Sequence, residues 1–208
     1  MSANLIVNGP GPVIVEPARF LHLEHLLDDE EFFEFCQQNR DLRIERSSKG
    51  DIIIMPPTGG ETGTQNFELI GTFWSWVKKD GTGKGFDSST GFSLPNGAKR
   101  SPDLAWVRNE KWEKLSKEQR RKFPPLTPDF VVELLSESDS LAMVQEKMGE
   151  YIGSGAQLGW LIDPFGKKIH VYRAHAPIEV LDNPQTVTGE PLLIGFVLDV
   201  QSLWASGD

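Results

Sequence analysis

A carboxylate inside an otherwise apolar segment is the first candidate for chemistry in this sequence. Residues 128–136 read PDFVVELLS, and Glu133 stands among Phe, Val and Leu side chains in a segment with the length and β-branched content of a buried strand. An unpaired buried charge is costly, so a partner must compensate it. That partner is a basic side chain, a proton or a metal ion, and the choice bears directly on function.

A second acidic residue, Asp103, occupies a matching position. It lies in SPDLAWV, a segment that resembles TPDFVVELLS around Glu133. If the two segments are neighbouring strands, their carboxylates lie close together and cannot both stay ionised without a partner. Hard oxygen ligands suit Mg²⁺ or Mn²⁺. Each residue also has a structural interpretation: Asp103 as a turn cap before a strand, and Glu133 as half of a buried ion pair.

Lys147 is the third candidate, in the segment VQEKMGEY that follows the Glu133 strand. A helix that returns over the sheet would direct this lysine toward the carboxylates, where an ammonium group can orient water and stabilise negative charge on a phosphate. Gln145, two residues earlier, is a further candidate for the same pocket. The alternative for Lys147 is a surface lysine that packs only its aliphatic stem.

Glu61 is a fourth candidate, in the segment PPTGGETG at the start of a predicted helix. From there its carboxylate could reach the other two acids, and Glu68, two turns further on, is the alternative. Thr58 and Glu61 also match the spacing of a helix capping box, which is a purely structural interpretation.

The charge distribution suggests where a polyanion would bind. The net charge of the 208 residues is −9, which argues against broad nonspecific binding of nucleic acid. Residues 62–122, however, contain 12 Lys or Arg against 7 Asp or Glu, a net of +5, whereas both flanking regions are acidic. Lys84, Lys99 and Arg100 are the candidate DNA contacts in this region. The alternative is an ordinary solvated face.

The remaining composition excludes several classes of protein. Cys36 is the only cysteine, so an intramolecular disulfide is excluded and a thiolate zinc site is not expected. No apolar run approaches the roughly 20 residues of a membrane span, and the N-terminus lacks the pattern of a signal peptide. A cytoplasmic protein with no membrane association is predicted.

The periodicity of the chain predicts one mixed sheet with helices packed on it, an α/β or α+β architecture. Residues 42–57 are typical of a hairpin, residues 61–79 of a helix, and the later segments alternate strands with a second long helix. We expect an N-terminal arm with a short helix over residues 1–41 and a domain over residues 42–208, together forming one compact unit.

In combination, these segments resemble the Uma-type restriction endonuclease family of the PD-(D/E)XK nuclease superfamily. The similarity extends from about residue 42 to residue 204. The segments that carry it are PPTGGETG, RSPDLAWV, PDFVVELLS, QEKMGEYIGSGAQLGWLIDP and GFVLDV.

The resemblance implies a restriction-endonuclease-like αβββαβ core and Mg²⁺-dependent (or Mn²⁺-dependent) hydrolysis of phosphodiester bonds. It implies metal-ligand roles for Asp103, Glu133 and Glu61. The superfamily pattern has a lysine two residues after the second acid, where this chain has Leu135. The lysine role would therefore pass to Lys147.

Three functions are compatible with the sequence. The first is a metal-dependent endonuclease acting on DNA, and the alternative is a module on the nuclease fold that binds nucleic acid or protein without cutting. A third is a metal-dependent hydrolase of a small phosphorylated substrate. Because two sites are needed to cut two strands, a homodimer is predicted, and the apolar segment VIVEP at 13–17 is a candidate for its interface.

Overall fold

The computed structural model of the chain describes residues 20–21 and 27–204. The segment VIVEP, proposed above as a dimer contact, lies outside these residues. Within the described ranges, no helix combines the length and the apolar character that crossing a membrane requires.

The described residues contain five α-helices, thirteen short strands and one 3₁₀ turn, Gln201–Leu203. The helices are α1 (Asp29–Gln38), α2 (Gly60–Asp80), α3 (Asn109–Glu113), α4 (Lys117–Arg121) and α5 (Leu141–Gly153). The strands are β1 (Phe20–Leu21), β2 (Arg43–Arg46), β3 (Ile52–Met55), β4 (Gly83–Asp87), β5 (Phe92–Ser93), β6 (Lys99–Arg100), β7 (Leu104–Arg108), β8 (Phe130–Leu134), β9 (Leu158–Asp163), β10 (Lys168–Arg173), β11 (Glu179–Asp182), β12 (Thr186–Thr188) and β13 (Val197–Asp199). The helix predicted over 61–79 is α2, which ends where Gly81 adopts a left-handed φ of 70°.

The central sheet has six strands in the order β11-β10-β9-β8-β7-β4. Only β8 and β9 run parallel, and α5 makes the crossover between them. Along the chain, α2, β4, β7, β8, α5 and β9 follow one another in the order αβββαβ, interrupted only by the short strands β5 and β6 and helices α3 and α4. The predicted mixed sheet flanked by helices is therefore confirmed.

A second sheet was not predicted. The hairpin β2–β3 forms as expected, but it joins β1, β6 and β5 in a separate antiparallel sheet of order β1-β3-β2-β6-β5. Strand β2 reads RIER, so it cannot be buried between two apolar layers as β8 is. A two-stranded sheet of β12 and β13 completes the described strands.

The two faces of β8 are covered by different helices. Phe130 and Val132 belong to the same core cluster as Leu69 and Phe73 of α2. Val131 belongs to a second cluster with Met148 and Tyr151 of α5. Because side chains alternate along a strand, Glu133 lies on the same face as Val131, the face that α5 covers. This register decides which side chains can contact Glu133.

Gly83 on β4 makes close contact with the Trp106 ring on the neighbouring strand. A Cβ added at Gly83 would lie 2.2 Å from a ring atom of Trp106, which is buried in the core. We expect Gly83→Ala to lower the free energy of unfolding by about 1–3 kcal/mol, because the indole must move within a packed core. Urea denaturation of the two proteins measures the difference.

Gly85→Ala is a matched control on the same strand. A Cβ at Gly85 would be 3.5 Å from the nearest atom of Phe73, an ordinary contact. Equal losses for the two variants would show that the general cost of changing a strand glycine, and not the Trp106 contact, dominates.

Candidate active site

Strands β7 and β8 place Asp103 beside Glu133. Leu104, the first residue of β7, pairs with Val132 of β8, so the residue before it reaches the end of β8. Asp103 Oδ2 accepts a hydrogen bond from the backbone N–H of Leu134 at 2.9 Å. Both acidic residues are only 6% exposed, and both line the same cavity.

Helix α5 directs the amine of Lys147 into the same cavity. Lys147 Nζ lies 2.8 Å from Oε1 of Glu133 and 2.9 Å from Oε1 of Glu45. The hydroxyl of Tyr151, one turn further along α5, also donates to Glu133 Oε1 at 3.1 Å. The carboxylate of Glu133 is therefore held by two side chains of the helix that covers its face of the sheet.

Glu45 is a site residue that the sequence did not reveal. It comes from β2 of the second sheet and is 2% exposed. The backbone N–H of Ser101 donates to its Oε1 at 2.8 Å, and Arg100 Nη1 lies 3.1 Å from its Oε2. In the sequence, Arg43 and Glu45 alternate with the apolar Ile44 in the predicted hairpin. Exposed hairpins show the same alternation, so this pattern did not identify Glu45 as a site residue.

Arg43, two residues before Glu45, forms an ion pair with Asp103. Its Nη2 group lies 3.1 Å from Asp103 Oδ1 and donates to the backbone carbonyl of Ser101 at 2.8 Å. Because β2 alternates, Arg43 and Glu45 lie on the same face of the strand. The second sheet thus supplies the basic partner of Asp103, which is Arg43, and an acidic partner of Lys147, which is Glu45.

The protonation of Glu133 is unusual for a carboxyl group. Burial raises its pKa to about 7, and the neighbouring charges of Asp103 and Glu45 add to this, although Lys147 lowers it. This carboxyl group therefore gains and loses its proton near neutral pH.

Glu45 and Lys147, in contrast, are both charged at neutral pH. Burial alone would raise the pKa of Glu45, but Lys147 and Arg100 outweigh it and hold that pKa below its ordinary value. Burial alone would lower the pKa of Lys147, but Glu133 and Glu45 outweigh it and raise that pKa. At neutral pH, Glu45 is ionised and Lys147 carries its proton.

The cavity has a volume of about 430 Å³ and an excess of acid. It is bounded by the hairpin β2–β3, the first turns of α2, the end of β8 and helix α5. Seven acidic and four basic residues line it, a formal charge of −3. They are Glu45, Asp51, Asp103, Glu133, Asp139, Glu146 and Glu150, and Arg43, Lys49, Arg100 and Lys147. The excess of acid in this lining opposes the entry of an anion that carries no cation with it.

Asp103 and Glu133 are the residues that could hold a metal ion. Between residues 27 and 204, no group of three or more acidic, histidine or cysteine side chains is arranged to bind one. Mg²⁺ is commonly bound by only one or two carboxylates, with water and substrate phosphate completing its shell. Two adjacent buried carboxylates, one of which has a raised pKa, fit a hard divalent cation of this kind.

The structure does not bring Glu61 or Gln145 into this cluster. Glu61 lies in the first turn of α2 and is exposed, and it is not among the residues that line the cavity. Gln145 lines a different cavity of about 330 Å³, together with Tyr172. Side-chain direction on each helix, which short sequence motifs do not report, separates both residues from Lys147.

The three predicted DNA contacts have different environments. Lys84 is exposed on the edge strand β4. Lys99 is 3% exposed, and its amine lies 2.7 Å from Oδ2 of Asp29 on α1. Arg100 lines the cavity but forms ion pairs with Glu45 and Glu150.

Comparison with known proteins agrees with this architecture. The model of the family Uma2, described as "Putative restriction endonuclease", matches residues 29–201. No curated protein matches the chain.

Among solved structures, the chain is similar to a crystal structure described as that of "a putative nuclease belonging to DUF820" from Anabaena variabilis ATCC 29413. The TM-score is 0.66 at 24% sequence identity, and the similarity covers 77% of this chain and 89% of the other. At this identity the likeness establishes the fold. The family match extends over most of the 208 residues, and the chain therefore belongs to the Uma2 family of restriction-endonuclease-like proteins.

Proposed function

We propose that the protein is a metal-dependent endonuclease that hydrolyses phosphodiester bonds in DNA. One observation carries the proposal: Asp103, Glu133 and Lys147 meet in one cavity of a restriction-endonuclease-like fold. Two acids and a lysine are the groups that this chemistry needs, because the acids can hold a cation and the lysine can stabilise negative charge on a phosphate.

Asp103 and Glu133 are the ligands in this proposal, and the metal is Mg²⁺ or Mn²⁺. A bound divalent cation would activate water and offset the charge that builds on the phosphate. Arg43 and the backbone N–H of Leu134 fix the orientation of the Asp103 carboxylate. The hydroxyl of Tyr151 does the same for Glu133.

Lys147 provides the fixed positive charge beside the scissile phosphate. Its ammonium group is already desolvated and held between two carboxylates, so little reorganisation is needed when an anion arrives. Glu45 is a positioning residue in this scheme, because Lys147, Arg100 and Ser101 occupy its oxygens. The lysine that the superfamily places two residues after the second acid corresponds here to buried Leu135.

Of the three predicted DNA contacts, we retain Lys84 as a contact and assign structural roles to Lys99 and Arg100. Lys84 is exposed and free to meet a phosphate at some distance from the cavity. Lys99 and Arg100 instead stabilise the junction between α1, the second sheet and α5 through their ion pairs.

A binding module without catalysis is the second candidate function. The observation that favours it is the compensation of every central acid by a basic side chain: Asp103 by Arg43, and Glu133 and Glu45 by Lys147. Such a cluster folds without a metal ion, and its cavity would then recognise a ligand rather than cleave it.

Cleavage of supercoiled plasmid in the presence of Mg²⁺ or Mn²⁺ tests the proposal. We expect nicked or linear products that EDTA abolishes, and we expect Asp103→Asn to reduce the rate by at least about a hundredfold, because it removes a ligand charge. Glu179→Gln, an exposed acid on the edge strand β11, is the matched control and should cleave as the wild type does.

Calorimetric titration with Mg²⁺ separates the candidates further. The endonuclease should bind the cation, and Asp103→Asn should lose that binding. Retention of DNA in EDTA with no cleavage in metal would support the binding module. Cleavage confined to small phosphate esters would indicate the third function.

A further inference from the structure

Helix α2 exposes two large aromatic side chains on one face. Phe67 is 81% exposed and Trp74 is 61% exposed, values that are high for side chains of this size. They are seven residues apart, so they lie on the same side of the helix, two turns from each other. Gly71 is exposed between them and leaves the helix backbone open to close approach.

The exposed charged residues of α2 are divided between its two halves, with the half-buried Asp80 as the last residue of the helix. Glu61 and Glu68 are exposed in the first half, and Lys78 and Lys79 are exposed in the last turn. The helix dipole favours this order in any helix. The order also makes the helix complementary to a reversed copy of itself, because the acidic half of one copy then faces the basic half of the other.

We propose that α2 forms the interface of a homodimer, in which two copies of the helix pack antiparallel across a two-fold axis near Gly71. In this arrangement Phe67 of one copy lies against Trp74 of the other. The same symmetry brings Glu61 near Lys78 and Lys79 of the second copy. The occupant of the aromatic face is therefore another molecule of this chain, and the charge order of the helix is the reason for that choice.

The size of the aromatic patch predicts a dimer of moderate strength. The four aromatic side chains would remove roughly 600 Å² from solvent. A specific interface usually buries at least about 1,000 Å² in total. The rest of the helix face must supply the difference, so we expect association that depends on protein concentration rather than a permanent dimer.

The edge strand β11 is a less suitable dimer contact. Val180 of this strand and Ile178 just before it are exposed beside an open strand edge. An antiparallel pairing of two β11 strands would bring Glu179 and Asp182 of both copies together, however. Like charges across a strand pair oppose association, and edge strands use them for that purpose.

Sedimentation velocity over a range of protein concentrations tests the proposal. The wild type should convert from monomer to dimer as its concentration rises, and Trp74→Glu should weaken the dimer by at least about a hundredfold, because the substitution occurs twice in each dimer. Phe165→Glu changes another exposed aromatic residue, in the turn between β9 and β10, and should leave the equilibrium unchanged.

A charge-reversal experiment tests the antiparallel arrangement itself. Lys78→Glu with Lys79→Glu makes all four exposed charges of α2 acidic, and Glu61→Lys with Glu68→Lys makes all four basic. Each double variant alone should be monomeric at low salt, and an equimolar mixture of the two should associate again. Circular dichroism of each variant confirms that it is folded before the association is measured.

Three results would overturn the inference. A wild type that stays monomeric at every concentration has no such interface. A dimer that survives both Trp74→Glu and the charge reversals uses another surface. Failure of the two folded double variants to associate when mixed would equally exclude the antiparallel pairing.

Discussion

Lys147→Met should lower the free energy of unfolding by about 3–5 kcal/mol, because it removes the only basic partner of buried Glu133 among the described ion pairs and one of the two basic partners of buried Glu45. Glu45 and Glu133 both lie within 2.9 Å of the ammonium group, and both are buried. Methionine keeps the volume of the side chain but supplies neither charge nor hydrogen bonds. Guanidinium denaturation in EDTA at pH 8, where Glu133 of the wild type is ionised, measures the loss.

The same substitution should cost less at lower pH. Glu133 can take up a proton instead of requiring a cation, since its pKa is already about 7. The loss at pH 6 should therefore be smaller than at pH 8. Adding Glu133→Gln to Lys147→Met should recover part of the stability, since only Glu45 is then left without its lysine.

Lys114→Met is the matched control for this prediction. Lys114 pairs with Glu110 on the surface at 3.4 Å, with both side chains more than 70% exposed. Its loss should change stability by less than about 0.5 kcal/mol. If Lys147→Met costs no more than this control, the buried cluster does not depend on the lysine charge.

Glu133→Gln should remove a pH dependence of stability that the wild type shows between about pH 4.5 and 7. In the folded protein the pKa of Glu133 is raised from its ordinary value of 4.5 to about 7. Across this window the folded state binds more protons than the unfolded state, so stability falls as the pH rises. The shift corresponds to about 3 kcal/mol. Glutamine cannot ionise and does not lose this stability.

The variant should therefore be at least as stable as the metal-free wild type above pH 7. Lys147 is not left without a partner, because Glu45 still neutralises it. The difference between variant and wild type should increase in favour of the variant from pH 5 to pH 8. Thermal or chemical denaturation in EDTA at several pH values measures that difference.

Added Mg²⁺ or Mn²⁺ gives the complementary measurement. The wild type should gain stability with the cation, because binding to the folded state alone shifts the unfolding equilibrium, and Glu133→Gln should gain much less. A variant that is less stable than the wild type by about 3–5 kcal/mol at every pH would contradict this account. Glu133 would then be an indispensable half of a structural ion pair.

Local sequence was sufficient to predict that Asp103, Glu133 and Lys147 lie close together, because they come from two adjacent strands and the helix that returns over them. Asp103 immediately precedes β7, Glu133 lies on β8, and Lys147 lies on the helix that follows β8. Adjacent strands and a returning helix fix one another's positions through backbone pairing and the alternation of side chains. A carboxylate in a strand of Phe, Val and Leu is conspicuous because its burial has to be compensated.

The tertiary structure alone decided which other residues join the site. Arg43 and Glu45 come from a separate sheet, about 60 residues before Asp103 in the chain, and their pattern in RIER is the same whether the hairpin is exposed or buried. Likewise, Lys99 and Glu61 are indistinguishable in sequence from surface charges, yet Lys99 is buried against Asp29 and Glu61 faces solvent. The physical reason is that an ion pair between distant segments depends on how the sheets pack, whereas periodicity reports only one element at a time.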